Sequence, residues 1–152
     1  MKVVLVTGGF DPLHSGHISY FKEAKKLGDK LVVGLNSDEW LTRKKGKPFM
    51  PIQERVEIIR NLKMVDDVLT WDDSDDSASG AIYKLIATSG YNKDIVFANG
   101  GDRILSNTPE MQVCKEVGIG LLWNVGGGKI QSSSTLVNKR MWGKRVVNGI
   151  EI

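Results

Sequence analysis

Short apolar runs, each closed by a turn and followed by a helical period, recur along the chain, and this alternation restricts its fold more than any other feature. The first run, Lys2-Val3-Val4-Leu5-Val6-Thr7, shows no polar alternation, which suits a strand buried on both faces, and Gly8-Gly9 turns the chain after it. Ile18, Phe21, Ala24, Lys25 and Leu27 then carry a helical period that stops at Gly28-Asp29, where glycine is expected to cap the helix. Leu31-Val32-Val33-Gly34-Leu35-Asn36 reads as the second buried strand. A strand, helix and strand of this length make a right-handed parallel crossover.

The pattern continues. Ser37 caps a short helix through Leu41, Pro51 opens another with Ile52, Val56, Ile59 and Leu62 on one face, and residues 65–71 form a strand. Residues 79–89 read as helix, 94–98 as strand, Thr108-Pro109-Glu110 as a helix start, 120–125 as the fifth strand and 132–142 as the last helix. Five strands alternating with helices predict an α/β fold with a doubly wound parallel five-stranded sheet. At about 100–200 residues per domain, 152 residues are expected to form one domain, 1–152, with 143–152 as a C-terminal tail containing a turn at Asn148-Gly149. In such sheets ligands bind beyond the carboxyl ends of the strands, so the loops to inspect for function are 8–17, 36–48, 99–107 and 126–134.

Charge narrows the partners. The net charge is +3, compatible with a phosphorylated ligand and too small to indicate nucleic acid. Seven basic residues lie between Arg43 and Lys63 against two Glu, whereas 66–76 holds six carboxylates and no base. The acidic stretch Asp72-Asp73-Ser74-Asp75-Asp76 lacks the glycine and closing Glu of an EF-hand, so it is expected to be a solvated loop and helix start, with no protein metal site. No apolar run approaches the ~18–20 residues of a membrane span, and Lys2 with VVLV lacks signal-peptide architecture; a cytoplasmic protein is expected. The one cysteine, Cys114, falls on an amphipathic helix pattern and is expected to be a buried structural thiol.

The loop 8–17, GGFDPLHSGH, carries the chemistry. It runs from a buried strand into a helix whose first turn contains His14, Ser15, Gly16 and His17. Backbone N–H groups and the positive end of the helix dipole attract an anion there. The chain's two histidines, at i and i+3, share one face, with Gly16 between them leaving room for a phosphate. A second signature, Lys129-Ile130-Gln131-Ser132-Ser133-Ser134-Thr135, places hydroxyls ahead of an apolar helical period, where they cap the helix and can donate to an anion. The preceding GGGK is not a Walker A loop, because Trp123 and Ile130 stand where that motif needs Gly and Ser or Thr.

The His-X-Gly-His pattern after the first strand, with Gly9-Phe10-Asp11 and Leu13-His14, resembles the cytidylyltransferase-like nucleotidyltransferases. The likeness extends through Ala24, Leu27-Gly28-Asp29, Asn36-Ser37-Asp38, Lys45-Gly46, Glu54-Arg55, Val65-Asp66, Gly101-Asp102 and Ser132-Ser133-Ser134. Within that family the chain is similar to glycerol-3-phosphate cytidylyltransferases and to the nucleotidyltransferase domain that makes activated heptose. The resemblance implies a Rossmann-like fold. It also implies transfer of a nucleoside monophosphate, from CTP in the leading reading, to a phosphorylated alcohol or sugar with release of pyrophosphate.

By that resemblance His14 and His17 hold the triphosphate and stabilise the transition state, and Lys45 completes the catalytic set. Gly8, Gly9, Phe10 and Gly16 line the nucleotide, Asp102 meets its ribose or base, and Ser132, Ser133 and Ser134 grip the β- and γ-phosphates. Asp11 contacts the acceptor or positions the loop, while Lys45 and Arg55 bind phosphate. Lys129 stands near the place of an arginine that some cytidylyltransferases carry and contributes a point charge. Magnesium is expected as companion of the triphosphate. Two alternatives accompany this reading: an ATP-dependent adenylyltransferase of the same fold, and a non-catalytic nucleotide-binding regulatory module. Homodimers are common among small members, and Trp40, Phe49 and Met50 are apolar positions for such an interface.

Overall fold

The computed structural model describes residues 1–89, 94–100, 108–122, 125–126, 146–147 and 150–151. Strands β1 (Val3–Gly8), β2 (Lys30–Leu35), β3 (Asp67–Thr70), β4 (Ile95–Ala98) and β5 (Gly120–Leu122) form one parallel sheet in the order β3-β2-β1-β4-β5. Helices α1 (Ser15–Lys25), α2 (Asp38–Lys45), α3 (Ile52–Arg60), α4 (Ser79–Ser89) and α5 (Pro109–Val117) fall between the strands in sequence. The α/β, Rossmann-like architecture read from the sequence is present. Strand order reverses direction between β1 and β4, and the carboxyl end of β1 is where sheets of this kind bind ligands. A short antiparallel pair, β6 (Val146–Val147) and β7 (Ile150–Glu151), brackets the position of the expected Asn148-Gly149 turn.

The sheet is covered on both faces, so its strands are apolar at consecutive positions. Val3, Leu5 and Val32 face one way with Ile95 and Phe97, packing with Ala81, Ile82 and Leu85 of α4 and Val113 and Cys114 of α5. Val4, Val6, Leu31, Val33 and Leu35 face the other, against Phe21 and Ala24 of α1 and Ile59 of α3. The Cys114 thiol is buried as expected; burial and the nearby Glu110 carboxylate push it up to about 11, so it is protonated at neutral pH.

Some boundaries differ from the sequence reading. Helix α1 ends at Lys25 with Lys26 as a right-handed cap, so Gly28 does not cap it. Gly28 instead serves close approach: a Cβ there would lie 2.8 Å from the Lys2 carbonyl oxygen, which accepts from the Asp29 and Lys30 amides. Helix α2 runs on past Leu41 to Lys45, because Thr42 to Lys45 are polar and leave no apolar period to read. Ser37 caps it as expected, its Oγ accepting from Trp40 N at 3.0 Å. Of the strand expected over 120–125, Gly120–Leu122 is strand, and 123 and 124 lie outside the described residues. The helix expected over 132–142 lies outside the described residues, as do Asp102, Lys129, Ser132, Ser133 and Ser134.

Candidate active site

The carboxyl end of β1 delivers Gly8 and Gly9 to the switch point. A Cβ on Gly8 would sit 2.9 Å from Phe10 Cζ, and one on Gly9 would sit 2.9 Å from Leu41 Cδ2. Bare backbone at these two positions therefore lets the Phe10 ring fold back and α2 close over the loop. Phe10 adopts φ +49°, a strained conformation for a bulky residue that recurs at functional sites. Its buried ring holds the strain in place, edge-on to His17 and to Phe21 with centroids 5.0 Å apart in each case.

Helix α1 begins with an unusual capping box built from the two histidines. His14 is the N-cap residue, and its Nδ1 accepts from Gly16 N at 3.0 Å; His17 Nδ1 accepts from His14 N at 3.2 Å. The two imidazoles stack with centroids 3.8 Å apart and an interplanar angle of 20°. A neutral imidazole has one N–H, so a ring accepting through Nδ1 carries its proton on Nε2. Both rings are thereby fixed as Nε2–H donors at the positive end of α1. Nitrogen-15 long-range correlation spectra at neutral pH should show unprotonated Nδ1 and protonated Nε2 for both histidines. An Nδ1–H signal from either would contradict the capping geometry.

Asp11 and Lys45 meet beside this turn. The Asp11 side chain is fully buried, and its two oxygens accept from Phe49 N and Met50 N at 2.6 Å each. Lys45 Nζ lies 3.2 Å from Asp11 Oδ2 and also donates to the Asp11 carbonyl. Of the two roles open to Asp11, this geometry matches positioning of the loop. Lys45 keeps its side chain 24% exposed to solvent.

Arg55, expected by the resemblance to bind phosphate, is engaged with backbone carbonyls and the Asp38 carboxylate. It is 0% exposed, and its guanidinium donates to Met50 O at 3.0 Å, Gly9 O at 3.0 Å, Asn36 O at 2.7 Å and Asp38 Oδ1 at 2.7 Å. Four of its five N–H groups thus tie together the β1–α1 loop, the end of β2, the start of α2 and the loop before α3. Its role in this geometry is to organise the site from beneath.

Asp73 departs from the solvated acidic loop that the sequence predicts. Asp73 is 3% exposed and accepts from Asn36 Nδ2 at 3.0 Å, Ser37 N at 2.8 Å and Ser37 Oγ at 2.6 Å. Burial pushes its carboxyl up, but the bonds from Ser37 and Asn36 outweigh burial and hold it below its ordinary value. Nothing in the local sequence separates Asp73 from its exposed neighbours; only the β2–β3 pairing brings it over Asn36 and Ser37. Tyr20 also escaped the sequence reading: its hydroxyl donates to Ala98 O at the end of β4, and burial raises its pKa. Of the apolar positions considered for an interface, Phe49 is 62% exposed, while Trp40 and Met50 are half-buried. Among the described residues no three His, Cys, Asp or Glu side chains gather as a metal site, and no helix is long and apolar enough to cross a membrane.

A parallel sheet of this order, with a donor-bearing helix start at its switch point, defines a nucleotide-binding α/β domain. The family model described as cytidylyltransferase-like matches residues 5–120, and the chain belongs to that family of nucleotidyltransferases. It is similar to the bifunctional protein HldE of Citrobacter koseri, 37% identical over 117 residues, which are 70% of this chain and 24% of the relative. The HldE of Klebsiella pneumoniae is 36% identical over the same share of this chain. The chain thus spans about a quarter of the length of these curated relatives. Among solved structures it resembles a lipopolysaccharide core biosynthesis protein from Thermoplasma volcanium, with TM-score 0.63 and 29% identity, covering 81% of this chain and 93% of that one. A bifunctional NMN adenylyltransferase/ADP ribose pyrophosphatase from Francisella tularensis shares the fold, with TM-score 0.64 and 13% identity over 97% of this chain and 43% of that one.

Proposed function

We propose that the chain transfers a nucleoside monophosphate from a nucleoside triphosphate to the phosphate of a small acceptor and releases pyrophosphate. The observation that carries this reading is the stacked pair His14 and His17, fixed as Nε2–H donors at the start of α1 beside Lys45. An acceptor phosphate oxygen attacks the α-phosphorus, a new P–O bond forms, and the bond to the β-phosphate oxygen breaks. Because the second pKa of a phosphate monoester is near ~6, the nucleophile is already ionised and needs no general base. Orientation and charge neutralisation are the remaining requirements.

In this reading His14 and His17 donate to the transferring and leaving oxygens, and Lys45 meets the acceptor phosphate in exchange for part of its contact with Asp11. Gly8, Gly9, Phe10 and Gly16 shape the nucleotide side of the crevice. Asp102, Ser132, Ser133, Ser134 and Lys129 are proposed for the ribose and the outer phosphates. Magnesium enters with the triphosphate, held chiefly by phosphate oxygens.

The base and acceptor are finer questions. Cytidylyl transfer rests on the family description and on the likeness to glycerol-3-phosphate cytidylyltransferases. Adenylyl transfer to a sugar phosphate has at least equal support: the likeness to the activated-heptose domain, the HldE relatives, and the 29% identity to a protein named for lipopolysaccharide core biosynthesis. Thermal unfolding with magnesium and either CTP or ATP tests the choice. A ligand at about 100 times its Kd adds ~2.7 kcal/mol, or roughly 5–10 °C at this size. A shift with ATP alone favours the adenylyl reading, a shift with CTP alone the cytidylyl one, and a shift with neither contradicts both.

A further inference from the structure

Helix α2 is only eight residues long and buries a single side chain, Leu41, near its middle. Its last turn, which carries Lys45, faces solvent and ends at Gly46, whose φ of +96° sits in open space. Core packing does not fix where Lys45 lies. Two residues earlier, Arg43 reaches to the acidic loop after β3: Nε and Nη2 donate to Asp76 Oδ1 at 3.1 and 2.9 Å, and Nη2 donates to the Asp73 carbonyl at 2.9 Å. That loop is a closed turn, with Asp76 N donating to Asp73 O at 2.9 Å and Asp76 in the left-handed region at φ +63°. The same turn grips the start of α2 through Asp73 and Ser37. Residues two apart on a helix do not share a face, so Arg43 anchors one side of the last turn while Lys45 reaches Asp11 from the other.

We propose that Arg43, held by Asp76 and Asp73, is a positioning residue that keeps Lys45 beside the β1–α1 loop and thereby sets the affinity for the phosphorylated acceptor. The assignment rests on the functional reading above, and it gives the acidic loop a task in the reaction that needs no metal. An ion pair this exposed, with side chains 43% and 65% accessible, adds little to global stability, so its loss acts locally and the variants fold.

Steady-state pyrophosphate release by Arg43→Ala, Asp76→Asn and Arg43→Lys tests it. Arg43→Ala is expected to raise the acceptor KM about five- to tenfold, with kcat and the nucleotide KM within about twofold of wild type. Arg43→Lys, which keeps charge without the fork, should recover part of the loss, and Asp76→Asn should reproduce a smaller part of it. If Arg43 acts through Lys45, adding Arg43→Ala to Lys45→Ala changes the acceptor KM by less than about twofold. An unchanged acceptor KM in Arg43→Ala, or an equal rise in the Lys45→Ala background, overturns the assignment while leaving the functional reading intact. A wild-type protein that releases no pyrophosphate with any acceptor overturns the functional reading and this assignment with it. Amide hydrogen exchange at Phe49 and Met50 is an independent readout: looser α2 should speed it about fivefold or more in Arg43→Ala, and unchanged exchange overturns the positioning role.

Discussion

Arg55→Met should destabilise the protein by about 3–5 kcal/mol, because it removes one member of a buried charged network and leaves its partners without their donors. Those partners are the carbonyls of Gly9, Asn36 and Met50 and the carboxylate of Asp38, all brought together by the fully buried guanidinium. At this chain length the loss corresponds to a fall of roughly 6–20 °C in Tm. Arg55→Lys should recover little, since a single ammonium cannot reach four acceptors in the geometry of the fork. The expectation separates two roles cleanly. Had Arg55 bound an acceptor phosphate, its loss would leave Tm nearly intact and raise only a KM; a Tm within about 2 °C of wild type would therefore contradict the structural role.

His17→Ala should lower turnover by ~10²–10³, the usual cost of losing one donor aimed at charge that develops in the transition state. Its imidazole has a second, structural duty, since Nδ1 accepts from His14 N and closes the capping box of α1. Loss of a cap costs about 1 kcal/mol, so Tm should fall by only a few degrees, too little to explain the kinetic effect at room temperature. A variant within about threefold of wild type in kcat would remove His17 from the mechanism.

Much of this architecture is legible in the chain because its signals are local. Apolar runs such as Val3 to Val6 and Leu31 to Val33 announce strands covered on both faces, and Ser37 and Thr108 announce helix starts through their own side chains. The histidine motif is local as well, spanning one turn, so its placement at a helix start beyond β1 can be read directly. The ring tautomers cannot, because they depend on which backbone amide each Nδ1 accepts from. Arg55 and Asp73 are hard to read for a different reason. Their partners lie 17 to 46 residues away for Arg55, apart from Met50, and 36 or 37 residues away for Asp73. Each sits in a charged stretch where neighbours of the same type are solvated, and only parallel pairing of β1, β2 and β3 assembles the contacts.

We propose that the histidine turn at the end of β1 catalyses nucleotidyl transfer to a phosphorylated acceptor. Pyrophosphate release measures it most directly, with wild type and His17→Ala supplied with magnesium, ATP or CTP, and a panel of sugar and alcohol phosphates. Release should require nucleotide and acceptor together and fall by ~10²–10³ in His17→Ala. Release that proceeds equally without acceptor or equally in the variant, or binding of nucleotide with no release from any acceptor, would contradict it.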